Sequence, residues 1–109
     1  MLLPCDNITF VIKTYANHGT ADIASGISSR AALKTLPPKL WELALDRLAQ
    51  IDDADMVYDF WKAPSLKFEA LQGDRQGQSS IRINQRYRIC FVWIEPDAYE
   101  VEITDYHKG

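Results

Sequence analysis

Cysteine is scarce in this chain: two in 109 residues, Cys5 and Cys90, far apart in sequence. Cys90 falls inside an apolar stretch, where a thiol behaves as a small hydrophobe, so no disulfide and a reducing cytoplasm are expected. Long apolar runs are missing too. The longest, Ile89 to Ile94, falls well short of the roughly 18 residues that cross a bilayer. The opening MLLPCDN has no basic segment and meets Asp6 early, which reads against a signal peptide. His18 and His107 lack Cys or carboxylate neighbours at zinc-ligand spacing, and no P-loop, dinucleotide fingerprint or nucleophile elbow occurs. Neither a metal nor a cofactor is expected. The net charge is only −3, which argues mildly against binding naked nucleic acid. With 47% hydrophobic and 25% charged residues, the composition is that of one folded domain with a single core.

What is present is a division of charge. Glu42, Asp46, Asp52, Asp53, Asp55 and Asp59 face only Arg47 across residues 42–59. Lys62, Lys67, Arg75, Arg82, Arg86 and Arg88 then outnumber Glu69 and Asp74 across residues 62–91. The second segment is suited to phosphates, and the first stays solvated or meets a basic partner.

Residues 1–7 read as an appendage. Ile8–Tyr15, rich in β-branched and aromatic residues, predicts a first strand. Thr20 is placed to cap a short helix ending near Gly26. Ser28 or Ser29 caps a second, which Pro37 and Pro38 end. The longest helix is predicted from Pro38 to Ile51, with Trp41, Ala44, Leu45, Leu48 and Ile51 as its buried stripe. Tyr58, Phe60 and Trp61 crowd the following connector, either sealing the core edge or forming a partner patch. Strands follow at Leu66–Leu71, Gln78–Ile83, Tyr87–Ile94 and Tyr99–Asp105. The fold class is α+β: an N-terminal strand and helices packed on one face of a twisted, mainly antiparallel sheet of about four to five strands.

The hairpin register follows from apolar pairing, because a one-residue slip sends every side chain to the other face. A two-residue turn after Ile83 mixes charge into both faces. A three-residue turn, Asn84-Gln85-Arg86, pairs Ile83 with Tyr87, Ile81 with Ile89 and Arg82 with Arg88, leaving one face apolar. The same argument pairs Trp93 with Tyr99, Phe91 with Val101 and Ile89 with Ile103. Arg88 then stands beside Thr104, with Tyr106 beyond. Two opposed arginines repel by up to about 1 kcal/mol, a cost that an anion between them offsets. The plainer reading is that Glu69, Glu100 or Glu102 neutralises them in surface pairs.

The block LKFEALQGDRQGQSSIRINQRYRICFVW, followed by YEVEITDYH, resembles the HigB-like toxins of the RelE/ParE superfamily. The resemblance runs over residues 8–107, with 108–109 as a short tail. It implies a compact RelE-like domain acting as a metal-free, ribosome-dependent endoribonuclease in the cytoplasm. Such toxins cut mRNA in the ribosomal A site by attack of a ribose 2′-OH. They are neutralised by a HigA-like helix-turn-helix antitoxin that contacts operator DNA. No membrane is involved. The resemblance assigns Arg88 to the scissile phosphate and matches Asp105, Tyr106 and His107 to the terminal acid–tyrosine–histidine group of the site, with Tyr106 and His107 as the candidate base or acid. Glu69 stands where some relatives have a histidine, and Gln72 where they have a lysine, so Glu69 is a candidate base or an arginine partner. Arg82, Arg75, Arg86 and Lys67 are candidate phosphate or RNA contacts. Two alternatives stay open: a ParE-like gyrase inhibitor without nuclease activity, and a decayed toxin acting mainly through antitoxin binding.

Overall fold

The computed structural model describes residues 11–105. The elements run α1 (His18–Ala24), α2 (Arg30–Thr35), α3 (Trp41–Asp52), α4 (Tyr58–Trp61), β1 (Glu69–Ala70), β2 (Ser79–Arg82), β3 (Tyr87–Ile94) and β4 (Asp97–Asp105). The strands form one antiparallel sheet in the order β1-β2-β3-β4, so the predicted α+β class holds. Of the strand expected at Ile8–Tyr15, the described part makes two isolated parallel bridges to β4, Ile12 with Ala98 and Tyr15 with Val101. The rest of that segment, and the appendage at 1–7, lie outside the described residues.

Local chemistry starts the first three helices. Asn17, not Thr20, caps α1: its Oδ1 accepts from Thr20 N at 2.9 Å. Thr20 is buried instead, and its Oγ1 accepts from Ile103 N at 3.0 Å, tying α1 to the sheet. Ser29 caps α2 through Ala32 N. Pro38 opens a 3₁₀ turn, Pro38–Leu40, that leads into α3, whose Ala44, Leu48 and Ile51 are buried. Leu45 does not join this stripe and is exposed. Trp41 is half-buried against the core, and its Nε1 donates to Leu36 O at 2.7 Å.

Helices α1 and α2 approach backbone to backbone at Gly19. A Cβ built there would meet Thr35 Oγ1 at 1.8 Å and the Ala31 carbonyl at 2.7 Å. Thr35 cannot simply rotate away, because its hydroxyl donates to that same carbonyl at 2.8 Å. Gly19→Ala is therefore expected to destabilise the domain by about 1–3 kcal/mol, read as an earlier midpoint in urea at unchanged slope.

The β2–β3 hairpin has the predicted register: Ile81 faces Ile89 and Arg82 faces Arg88. Its turn is the three-residue Asn84-Gln85-Arg86, and Asn84 Oδ1 accepts from both Arg86 N and Tyr87 N. The β3–β4 register holds at one end, with Ile89 facing Ile103 and Arg88 facing Thr104. It then shifts by one residue, so that Tyr99 faces Val92 and Ala98 faces Trp93. A bulge at Glu100 and Val101 absorbs the extra residue, with Glu100 at φ +53°. Thr14 holds the bulge by accepting from Glu100 N at 2.8 Å. Apolar pairing alone assumes an unbroken ladder and misses this contact from a remote segment.

The predicted Leu66–Leu71 strand shrinks to Glu69–Ala70, because Pro64–Leu66 is a 3₁₀ turn. Beyond the short β1, Arg47 of α3 reaches the edge of β2 and donates Nε to the Arg82 carbonyl at 3.0 Å. The core lies between the helices and one sheet face, joining Ile23, Ala44, Leu48, Ile51 and Phe60 to Ile81, Ile89, Phe91, Val101 and Ile103. Phe60 of α4 seals its edge, while Tyr58 and Trp61 stay exposed. Among the described residues, no helix is long and apolar enough to cross a membrane.

Candidate functional site

The opposite sheet face carries the polar chemistry, because alternation along the strands sends every second side chain there. Two rows cross it. One runs Glu69, Ser80, Cys90, Glu102 from β1 to β4, and the next runs Arg82, Arg88, Thr104. This face is not simply open to solvent: Ser80, Cys90 and Arg88 are all buried.

Arg88 is the centre of this face, 4% exposed. Its Nε donates to Ser80 Oγ at 2.7 Å, and its Nη2 donates to the Lys67 carbonyl at 2.6 Å. The same Nη2 lies 3.3 Å from Glu69 Oε1. Burying a guanidinium without such partners would be costly. Glu69 itself is half-exposed, so this ion pair opens to solvent at its acidic end. Arg82 stands directly across from Arg88, and its Nε is buried with no hydrogen-bond partner. Among the described residues it is the one buried side-chain nitrogen or oxygen in that condition. An unsatisfied buried donor costs about 1–3 kcal/mol, and an anion beside Arg82 would relieve it.

The remaining candidates are spread around this pair. Arg75, on the 3₁₀ turn Gly73–Arg75, reaches over β2 and β3 to Glu102 on β4 at 3.2 Å, and Gln78 Oε1 accepts from the same Nη1 at 2.9 Å. Cys90 lies in the row it crosses, and burial pushes the Cys90 thiol above its ordinary pKa. Arg86 is exposed and bridges to Asp105 at 2.8 Å. Asp105 faces Tyr87 in the ladder, which puts it on the face of Ile103 rather than that of Arg88. The structure thus gathers Arg88, Glu69, Arg82 and the Lys67 backbone, and sets Arg86 with Asp105 and Arg75 with Glu102 as separate pairs. Tyr106 and His107 lie outside the described residues. Of the three acids weighed from the sequence as neutralising the opposed arginines, Glu69 pairs with Arg88, whereas Glu102 pairs with Arg75 and Glu100 turns to Thr14.

Sequence reasoning passed over Ser80. The signal was available: a register that pairs Arg82 with Arg88 also pairs Ser80 with Cys90, placing Ser80 diagonally next to Arg88, within reach of a long side chain.

The arrangement defines a small α+β domain whose non-helical sheet face carries two directly opposed arginines. A family model described as the RelE-like toxin of type II toxin–antitoxin system HigB matches residues 29–107, and the chain belongs to that family of HigB-like toxins. Toxin HigB-1 of Vibrio cholerae is 31% identical over 75 residues, covering 69% of this chain and 78% of that protein. Endoribonuclease HigB of Proteus vulgaris is 39% identical over 62 residues, covering 57% of this chain and 66% of that protein. Membership in a type II system brings an antitoxin as partner.

Proposed function

We propose that this toxin is an endoribonuclease that cuts translated mRNA in the ribosomal A site and is neutralised by a HigA-like helix-turn-helix antitoxin. The observation that carries the reading is the direct opposition of Arg82 and Arg88 on one sheet face, with the Arg82 Nε lacking a partner. The similarity to the Proteus vulgaris endoribonuclease points the same way.

In this reading a ribose 2′-oxygen attacks the adjacent phosphorus. A new P–O bond forms, the bond to the 5′-oxygen breaks, and a 2′,3′-cyclic phosphate and a 5′-hydroxyl result. The 2′-OH proton passes to a base, and the leaving oxygen takes a proton from an acid. Arg88, with Arg82 beside it, stabilises the charge gathering on the phosphorane oxygens. Tyr106, His107 and Glu69 are the groups for proton transfer. Histidine titrates near neutrality unaided, whereas Glu69 acts as base only once the incoming phosphate has taken its place on Arg88. Lys67, Arg75 and Arg86 supply further positive charge for RNA, and Asp105 orients Arg86. The acidic total fits a nuclease that the ribosome positions, since a binder of free RNA would rely on its own positive charge.

The test is a reconstituted translation reaction with the purified toxin, mapping mRNA 5′ ends with and without ribosomes. Codon-phased cuts that need ribosomes, lost in Tyr106→Phe while antitoxin binding persists, are expected. No cuts from folded, antitoxin-free toxin would return the reading to gyrase inhibition or a decayed toxin.

A further inference from the structure

Among the described residues, the two shortest contacts of Arg88 are to groups that carry no charge. Its contacts to Ser80 Oγ at 2.7 Å and to the Lys67 carbonyl at 2.6 Å are both shorter than the Glu69 contact at 3.3 Å. Ser80 is fully buried on β2, so its hydroxyl is fixed by the sheet rather than by solvent. The Lys67 carbonyl is aimed by an uncommon backbone. The 3₁₀ turn Pro64–Leu66 ends at Lys67 with φ 49° and ψ 47°, and Lys67 N closes the turn onto Pro64 O at 3.1 Å. Side chains of L-residues seldom occupy this left-handed region.

The chemistry of the two acceptors matters as much as their geometry. They come from different elements and grip different nitrogens of one planar guanidinium, which sets both its place and its plane. A hydroxyl and a carbonyl do this without neutralising the cation, whereas a second carboxylate in either place would cancel the charge that a phosphate seeks. We infer that Ser80 and the left-handed backbone of Lys67 are positioning groups that lock Arg88 in the orientation from which it meets the scissile phosphate. Lys67 acts in this clamp through its carbonyl. The inference rests on the proposed role of Arg88, and misplacement of such a group by about 1 Å can lower a rate about 10²-fold.

The experiment pairs a spectroscopic signature of Arg88 with kinetics, on the full chain. The Arg88 Nε–H resonance is assigned by its disappearance in Arg88→Lys, and its hydrogen exchange is compared across variants. In Ser80→Ala, exchange is expected to quicken about 10- to 100-fold, the range of a hydrogen bond to a charged group. The single-turnover cleavage rate at saturating ribosome complexes is expected to fall by a similar factor, with the half-saturating concentration held. Ser80→Thr, which returns the hydroxyl, should restore both. Lys67→Gly should keep the slow exchange, because glycine adopts the left-handed backbone at no steric cost, whereas Lys67→Val should lose it. Thermal unfolding of each variant separates these effects from loss of the fold. Unchanged exchange in a folded Ser80→Ala overturns the clamp, as does a fall in cleavage that leaves exchange untouched. A parent toxin that cuts no ribosome-bound mRNA overturns the nuclease reading instead, and with it the catalytic purpose of the clamp, while the exchange data still report whether Arg88 is gripped.

Discussion

Arg88→Ala is expected to lower cleavage of ribosome-bound mRNA by about 10²–10³-fold, the loss typical of removing one preorganised donor from a charge-stabilising site. Arg88 sits on the central strand β3, 4% exposed, where its charge is little screened by water. Lysine should not substitute for it. An ammonium keeps the charge but cannot reach Ser80 Oγ, the Lys67 carbonyl and a phosphate together with one rigid fork. The change should cost the fold far less than the activity. The alanine leaves a hydroxyl and a carbonyl short of a donor, a loss of about 1–3 kcal/mol. Glu69, the acidic partner of Arg88 among the described residues, is half-exposed and stays hydrated, so its charge is not left stranded. Single-turnover cleavage measured beside thermal unfolding checks both halves. A folded Arg88→Ala protein that cuts at the parent rate would remove Arg88 from the chemistry.

Phe60→Ala is expected to cost about 3–5 kcal/mol, the range for deleting a buried aromatic ring. Phe60 is 1% exposed and stacks on Phe68 with centroids 5.3 Å apart and planes 8° apart. It meets Trp93 edge-on at 5.1 Å and Phe91 at 5.4 Å. Three rings thus line the space its loss would open, and none is small enough to collapse into it. α4 has only four residues, too few to hold a helix by itself, so its place depends on this ring. Small domains have about 5–15 kcal/mol in total, and each kcal/mol moves the midpoint by about 4–8 °C. A fall in Tm of roughly 12–40 °C is therefore expected. Phe60→Leu, which keeps an apolar side chain in place, should cost about 1–2 kcal/mol. The effect should also reach the site, because Phe68 follows Lys67 directly and loosening its ring loosens the carbonyl on Arg88. A midpoint within a few degrees of the parent would show that Phe60 is not the keystone of this edge.

Much of the sheet was legible because its rules are local. Alternation along Ser79–Arg82 and Tyr87–Ile94, with the Asn84 turn between them, allows one register that keeps isoleucines on one side and arginines on the other. That argument needs only neighbours within about ten positions, and it placed Arg82 opposite Arg88. The helix starts were legible where a serine side chain caps its own helix, as Ser29 does for α2. Thr20 failed as a cap because its hydroxyl had a better use at Ile103 N, 83 positions away.

The sequence by itself determined the α+β class, the polar sheet face and the opposed arginines, since each follows from side-chain periodicity and short-range turn chemistry. Only the tertiary structure decided which groups hold those arginines. The bulge at Glu100 answers to Thr14, the Arg75 strap to Glu102, and the grip on Arg88 to a lysine carbonyl 21 positions earlier. A carbonyl is common to every residue and leaves no mark in a sequence. Its meaning comes from the backbone angle that aims it, and packing between distant segments sets that angle.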